Sequence, residues 1–144
     1  MVNVLSFKEV IDDLKYDFEW QSAPRPLSKN DFNTMVYRAL RLFFSDINRP
    51  DEYDKNLITT DDDGEYVYNR DFNINEFEYI LILVKLTFAQ KVQSQIDDMP
   101  SYSTDALKVT GVADVWKNLK TKIDDLQHER RIRFNKMVEH TLEL

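Results

Sequence analysis

The sequence predicts a mainly α-helical fold, in which residues 1–144 form a single domain built as a bundle of about four helices. Apolar residues recur at intervals of three and four along much of the chain, which is the spacing of one helix face. Several predicted helices follow a Ser or Asn with an acidic residue three positions later, the pattern of a capping box. The chain has only two glycines, too few for a stack of tight hairpins.

Helix one is predicted at residues 7–19. Ser6 and Glu9 mark its start, because each side chain can accept a hydrogen bond from a backbone N–H that the first turn leaves unpaired. The residues of its apolar face are Phe7, Val10, Ile11, Leu14 and Phe18. Pro24 and Pro26 then require an extended connection.

Helix two is predicted at residues 29–44. Ser28 and Asp31 repeat the capping pattern, and Leu27 can pack on Phe32 as a hydrophobic staple. Its apolar face consists of Phe32, Met35, Val36, Ala39, Leu40 and Phe43.

Most of the negative charge lies in one segment. The chain has a net charge of −7, and residues 46–78 hold eleven acidic and three basic residues, so the rest is nearly neutral. We interpret residues 46–74 as an acidic arm or insertion within the domain. It is either a solvated loop, as charged segments usually are, or a docking surface for a basic partner, which its aromatic and aliphatic residues favour.

A β-hairpin is predicted within this arm at residues 56–69. Two short β-prone runs, NLITT and YVYNR, flank the sequence DDDGE. Asp63 and Gly64 favour a reversal between them, because glycine tolerates the positive φ of a tight turn. An isolated hairpin is marginally stable in water, so we expect it to pack on the helices or on a neighbouring subunit.

Helix three is predicted at residues 76–97, with Asn75 and Glu78 as its capping pair. From residue 79 to residue 86 the helix is apolar on both of its sides. A helix that is apolar all round is buried all round. We therefore expect it at the centre of the bundle or beneath another subunit.

Helix four is predicted at residues 113–140, because no glycine or proline interrupts this stretch. Its apolar stripe consists of Trp116, Leu119, Ile123 and Leu126. Its length of roughly 42 Å exceeds what a compact domain of this size needs. The apolar pattern weakens at residues 129–133, so residues 130–144 are predicted to project from the body or to pack on something other than its own core.

No catalytic, cofactor-binding or metal-ligating residue is predicted, and enzymatic activity is not expected. The lack of cysteine excludes disulfides and thiolate chemistry. His128 and His140 lie about 18 Å apart on one predicted helix, too far to share a metal or a proton. The acidic run at 61–64 is not an EF-hand, since that alignment places Thr59 at the first ligand position and Arg70 at the twelfth.

Two sets of residues are candidates for a protein interface. The set in the acidic arm consists of Tyr53, Leu57, Ile58, Asp61, Asp62, Asp63, Tyr66 and Tyr68. The set on helix four consists of Arg130, Arg131, Arg133, Phe134 and Met137. The arginines are expected either to pair within and between the helices of the chain or to pair with the acidic arm of another copy.

The second half of the chain has a characteristic order of segments over residues 72–138. The hydrophobic helix FNINEFEYILILVKLTFAQKVQSQ is followed by the Ser/Thr-Asp loop SYSTDALKVTG and by the long charged helix VADVWKNLKTKIDDLQHERRIRFNKM. In this layout the chain resembles the head–tail connector, or neck adaptor, proteins of tailed bacteriophages. Residues 1–71 carry no part of the resemblance.

The resemblance implies a helical bundle that forms a homo-oligomeric ring between the portal and the tail of a virion. The implied partners are other copies of the chain and the portal, neck and tail proteins. The resemblance also implies that DNA passes through the channel of the ring without specific binding. It implies no contact with a membrane, and it implies assembly in the host cytoplasm. The alternatives are a small acidic protein that sequesters a basic partner, and another virion component such as a tail terminator or baseplate subunit.

Overall fold

Four α-helices and a small sheet surround one apolar core in the described part of the chain. The computed structural model describes residues 4–98 and 115–142, with side chains of the last helix described as far as residue 139. In chain order the helices are α1 (Phe7–Asp17), α2 (Lys29–Asp46), α3 (Ile74–Asp97) and α4 (Leu119–Leu142). The predicted mainly α fold with about four helices is confirmed.

The capping pattern predicts the start of α2 correctly and misplaces the start of α3. Ser28 and Asp31 form the predicted capping box at the start of α2. At α3 the predicted pair is wrong by two residues, because Asn73 and Glu76 form the box instead. The sequence NINEFE contains two overlapping boxes, and burial of Phe72 directly before Asn73 anchors the chain at the first of them.

Replacing Asn73 with alanine is expected to lower the free energy of unfolding by about 1 kcal/mol. The Asn73 side chain accepts a hydrogen bond of 2.8 Å from the backbone N–H of Glu76, and alanine leaves that N–H unpaired. Asn75→Ala is the matched control, because Asn75 lies inside the helix and is expected to cost no more than about 0.5 kcal/mol. Urea unfolding of both variants tests this, and equal losses would contradict the assigned cap.

A three-stranded antiparallel sheet covers one side of the helices. Its strands are β1 (Leu5–Ser6), β2 (Ile58–Thr60) and β3 (Tyr66–Tyr68), in the order β1-β3-β2. The predicted hairpin at residues 56–69 is present as β2 and β3, and Gly64 adopts a φ of 78° in its turn. Strand β1 was not predicted, because a strand of two residues is too short to show an alternating pattern.

Helix α3 lies at the centre of the bundle. Residues 79–84 are all buried, and α1, α2 and α4 all pack against the helix. Lys85 interrupts the apolar surface, and its ammonium group lies 2.6 Å from the carboxylate of Asp17 on α1. The predicted central position is confirmed, and the helices that cover α3 belong to the same chain.

The predicted start of helix four at residue 113 lies outside the described ranges. Val115 is helical, and α4 itself begins at Leu119. Residues 116–118 form a turn between them. This turn holds Trp116 in the core, where its indole N–H donates a hydrogen bond of 2.8 Å to the backbone carbonyl of Ser22.

The end of α4 packs on the body at least as far as Met137. The Met137 side chain is 2% exposed, and the ring of Phe134 lies 5.8 Å from that of Tyr79 on α3. As far as Met137, residues 130–144 therefore neither project from the body nor pack on something other than its own core, so both predictions are wrong for this part of the helix. The apolar pattern weakens at Arg130 because this arginine lies on the side of α4 that faces the other helices, where it forms an ion pair with Asp46.

The segment at residues 46–74 also packs on the bundle. Tyr68 and Phe72 are buried, and the ring of Tyr53 stacks on that of Tyr68 at 6.2 Å. Its apolar side chains therefore anchor the hairpin to the helices, as expected for a marginally stable element. None of the helices in the described ranges is long and apolar enough to cross a membrane.

Candidate functional site

The structure divides the interface candidates of the acidic arm by burial. Tyr68 is fully buried, and its hydroxyl oxygen accepts a hydrogen bond of 3.2 Å from the backbone N–H of Asp54. Leu57 and Ile58 are half-buried against the core. The exposed candidates are Asp61, Asp62, Asp63 and Tyr66, with Tyr53 half-exposed beside them.

The candidates on α4 are also divided. Met137 is buried, Phe134 packs on Tyr79, and Arg133 lies 4.0 Å from Glu129 one turn earlier. Arg131 is exposed. For Arg130 the partner is Asp46 of the same chain, so the pairing of a helix-four arginine with the acidic segment occurs within one molecule.

A polar cluster joins α2, α3 and α4. The Arg130 guanidinium donates a hydrogen bond of 2.6 Å to Asp46 and one of 3.3 Å to the hydroxyl of Tyr79, which itself donates to Asp46. Burial, followed by the hydrogen bond to Asp46, raises the pKa of Tyr79 to about 12, although Arg130 acts in the opposite direction. The three side chains satisfy one another, so we assign this cluster a structural role.

A groove of about 650 Å³ lies between α2 and the segment that leads into the hairpin. Its aromatic and charged lining residues are Tyr37, Arg38, Arg41, Tyr53, Lys55 and Tyr66. No carboxylate lines it, although the chain as a whole is strongly acidic. We call this site the basic groove.

The residues of the groove are positioned by the amphipathic pattern of α2. Arg41 lies three residues after Arg38 and four residues after Tyr37, so it neighbours both on the surface of α2. Arg38 and Arg41 are exposed, whereas Tyr37 is half-buried against the edge of the core. The ring of Tyr37 is held at 5.2 Å from that of Phe7 and at 6.2 Å from that of Tyr66. The wall formed by α2 is therefore tied directly to strand β3.

The three cations of the groove are not neutralised by a neighbouring carboxylate in the part of the chain that the structure describes. Arg38, Arg41 and Lys55 are exposed, and no carboxylate of the described residues lies within ion-pair distance of them. The guanidinium of Arg41 lies 5.7 Å from the ring centre of Tyr53. Arginine stacked on an aromatic ring remains able to bind an anion through its N–H groups.

The tyrosine hydroxyls of the groove are close enough to affect one another. Burial raises the pKa of Tyr37, and the neighbouring hydroxyls of Tyr66 and Tyr53 raise it further. The Tyr37 phenol therefore stays protonated at neutral pH and can donate a hydrogen bond. Three cations beside a hydroxyl donor favour the binding of a carboxylate or another anion.

Sequence reasoning missed four of the aromatic and charged residues that line the basic groove: Tyr37, Arg38, Arg41 and Lys55. The signal that could have found three of them is the Tyr-Arg-Arg stripe on the polar face of helix two. Lys55 carried no such signal, because it lies in a segment that is acidic on average.

The hairpin turn precedes strand β3, whose first residue, Tyr66, lines the basic groove. One carboxylate oxygen of Asp61 accepts backbone N–H groups of Asp63 and Glu65, at 2.9 and 3.0 Å. This oxygen is used by the turn itself. Within residues 4–98 and 115–142, no group of three or more His, Asp or Glu side chains is arranged to hold a metal ion.

Comparison with known proteins found no match to the chain among protein-family models, curated proteins or solved structures.

Proposed function

We propose that the chain is a structural subunit of a virion, a head–tail connector that forms an oligomeric ring between the portal and the tail. The observation that carries this proposal is the presence of two separate surfaces of opposite charge on one chain. One is the basic groove, and the other is the exposed hairpin turn at residues 61–63, which we call the acidic tip.

A ring of identical subunits needs two unlike faces on each subunit, because every head-to-tail contact joins one face to the other. Opposite charges favour the correct pairing, and they disfavour the pairing of two identical faces. The basic groove and the acidic tip meet this requirement.

The virion context comes from the resemblance over residues 72–138. Helices α3 and α4 make up most of that range, and they pack on each other along the described part of α4. A helical bundle of this kind agrees with the architecture that the connector resemblance implies.

The proposal predicts that the protein is a component of mature virus particles. Particles purified from cells that express the chain are expected to contain it in several copies, as measured by quantitative mass spectrometry. A capsid or tail protein of the same particles provides the reference for copy number. Absence of the chain from intact particles would exclude the virion role.

A second candidate function is a small acidic protein that sequesters a basic partner. The acidic tip favours it, since Asp62 and Asp63 are exposed and form no ion pair with any described residue. This function predicts a monomer or dimer with one tightly bound partner. Affinity capture that returns only virion proteins would count against it.

A further inference from the structure

We infer that the basic groove of one molecule receives the acidic tip of a second copy of the chain. The inference rests on the proposed function, because it identifies the contact through which neighbouring subunits join.

The groove offers what a carboxylate-bearing turn requires. Arg38, Arg41 and Lys55 supply positive charge that no carboxylate of the described chain neutralises at short range. The tyrosine rings beside them supply apolar surface and hydroxyl donors. Contacts that combine aromatic rings with arginine dominate the binding energy of many protein interfaces.

The acidic tip is held in one conformation before any contact is made. Asp61 accepts two backbone N–H groups of the turn, and its own N–H donates to the carbonyl of Glu65 at 2.8 Å. This hydrogen-bonded turn carries Asp62 and Asp63, which are exposed and form no ion pair with a described residue. Such preorganisation lowers the entropy that is lost on binding.

The charged groups of the tip do not pair with the groove of their own molecule. None of the ion pairs between described residues joins residues 61–63 to a cation of the groove. Glu65, directly after the turn, pairs with Lys29 at the start of α2 at a distance of 2.8 Å. Arg41 lies twelve residues farther along the same helix, a rise of roughly 18 Å. We therefore assign the contact between tip and groove to two molecules, which allows it to repeat from head to tail around a ring.

The experiment reverses the charge of the groove in one variant and the charge of the tip in another. A groove variant carries Arg38→Glu, Arg41→Glu and Lys55→Glu, and a tip variant carries Asp62→Lys and Asp63→Lys. A matched control variant carries Lys117→Glu, Lys120→Glu and Lys136→Glu, three exposed lysines outside the groove and the tip. Circular dichroism verifies that each variant is folded, and sedimentation velocity measures its mass over a range of concentrations.

The wild type and the control variant are expected to associate, and salt is expected to weaken the association because it screens exposed charges. Each exchanged variant alone is expected to associate more weakly by a factor on the order of ten or more. An equimolar mixture of the groove and tip variants is expected to regain association, since both contacts then join opposite charges again. Misfolding cannot produce this recovery.

Three results would overturn the inference. The first is association of both exchanged variants at the wild-type strength. The second is an equimolar mixture of the two variants that associates as weakly as each variant does alone. The third is a wild type that remains monomeric at every concentration. If the Glu substitutions prevent folding, Arg41→Gln with Lys55→Gln serves as the groove variant, and unchanged association again rejects the contact. Binding of a fluorescent single-stranded oligonucleotide in the groove of a monomer would assign the site to nucleic acid instead.

The particle experiment keeps the two proposals separate. If the chain is present in virions but the charge exchange has no effect, the connector role stands and the tip–groove contact is rejected. If the exchange restores association but the chain is absent from virions, the contact stands and the connector role is rejected.

Discussion

Replacing Phe88 with alanine is expected to lower the free energy of unfolding by about 3–5 kcal/mol, the largest loss among single substitutions considered for this chain. Phe88 is fully buried, and its ring centre lies 4.9 Å from that of Phe18, 6.3 Å from that of Phe32 and 6.1 Å from that of Trp116. Alanine leaves a cavity where these elements meet α3. The loss is a large part of the roughly 5–15 kcal/mol that stabilises a typical domain.

Urea unfolding followed by circular dichroism measures this loss. Tyr16→Ala is the control, because Tyr16 is also aromatic but is 89% exposed, and its replacement is expected to change stability by no more than about 0.5 kcal/mol. A similar small change for Phe88→Ala would show that the ring is not part of a tightly packed core.

Replacing Arg130 with methionine is expected to lower the free energy of unfolding by about 1–3 kcal/mol. Methionine keeps much of the side-chain length but removes the donors to Asp46 and Tyr79, so a partly buried carboxylate loses its cation. Arg131→Met is the matched control, because the neighbouring arginine is exposed and forms no ion pair with a described residue. Thermal and urea unfolding of the two variants should therefore differ clearly, and equal stabilities would contradict the assigned pairing.

The same cluster makes stability depend on pH in the alkaline range. The pKa of Tyr79 is about 12 in the folded chain and 10 when it is unperturbed, so the unfolded state releases its proton first. The contribution of Tyr79 is therefore complete below pH 10 and is lost as the pH rises from 10 to about 12. Tyr79→Phe removes this titration, so the variant is expected to lose less stability than the wild type over that interval. Parallel curves would argue against the raised pKa.

Most helix positions could be predicted because their signals are short-range. The face of α1 and the capping box of α2 each involve residues within one or two turns. The same property explains the error at α3, where two overlapping capping boxes are locally equivalent. Burial of Phe72, which is a tertiary contact, selects the box at Asn73.

The candidate site was predictable only in part. Tyr53, Ile58 and Tyr66 were candidates from the sequence, and they line the basic groove. Arg130 and Met137 were candidates too, but one is paired within the chain and the other is buried. The sequence of an acidic protein does not show which of its arginines lie within ion-pair distance of a carboxylate.

The sequence by itself determined the helical class, the burial of α3 on both of its sides, the hairpin and the concentration of acidic residues, because each depends on residues close together in the chain. Only the tertiary structure decided which charges are neutralised. Arg130 meets Asp46 across 84 residues, whereas Arg41 and Lys55 face the same groove without a carboxylate between them. Ion pairing depends on distances of a few ångström between side chains, and only packing of the helices and the hairpin sets those distances.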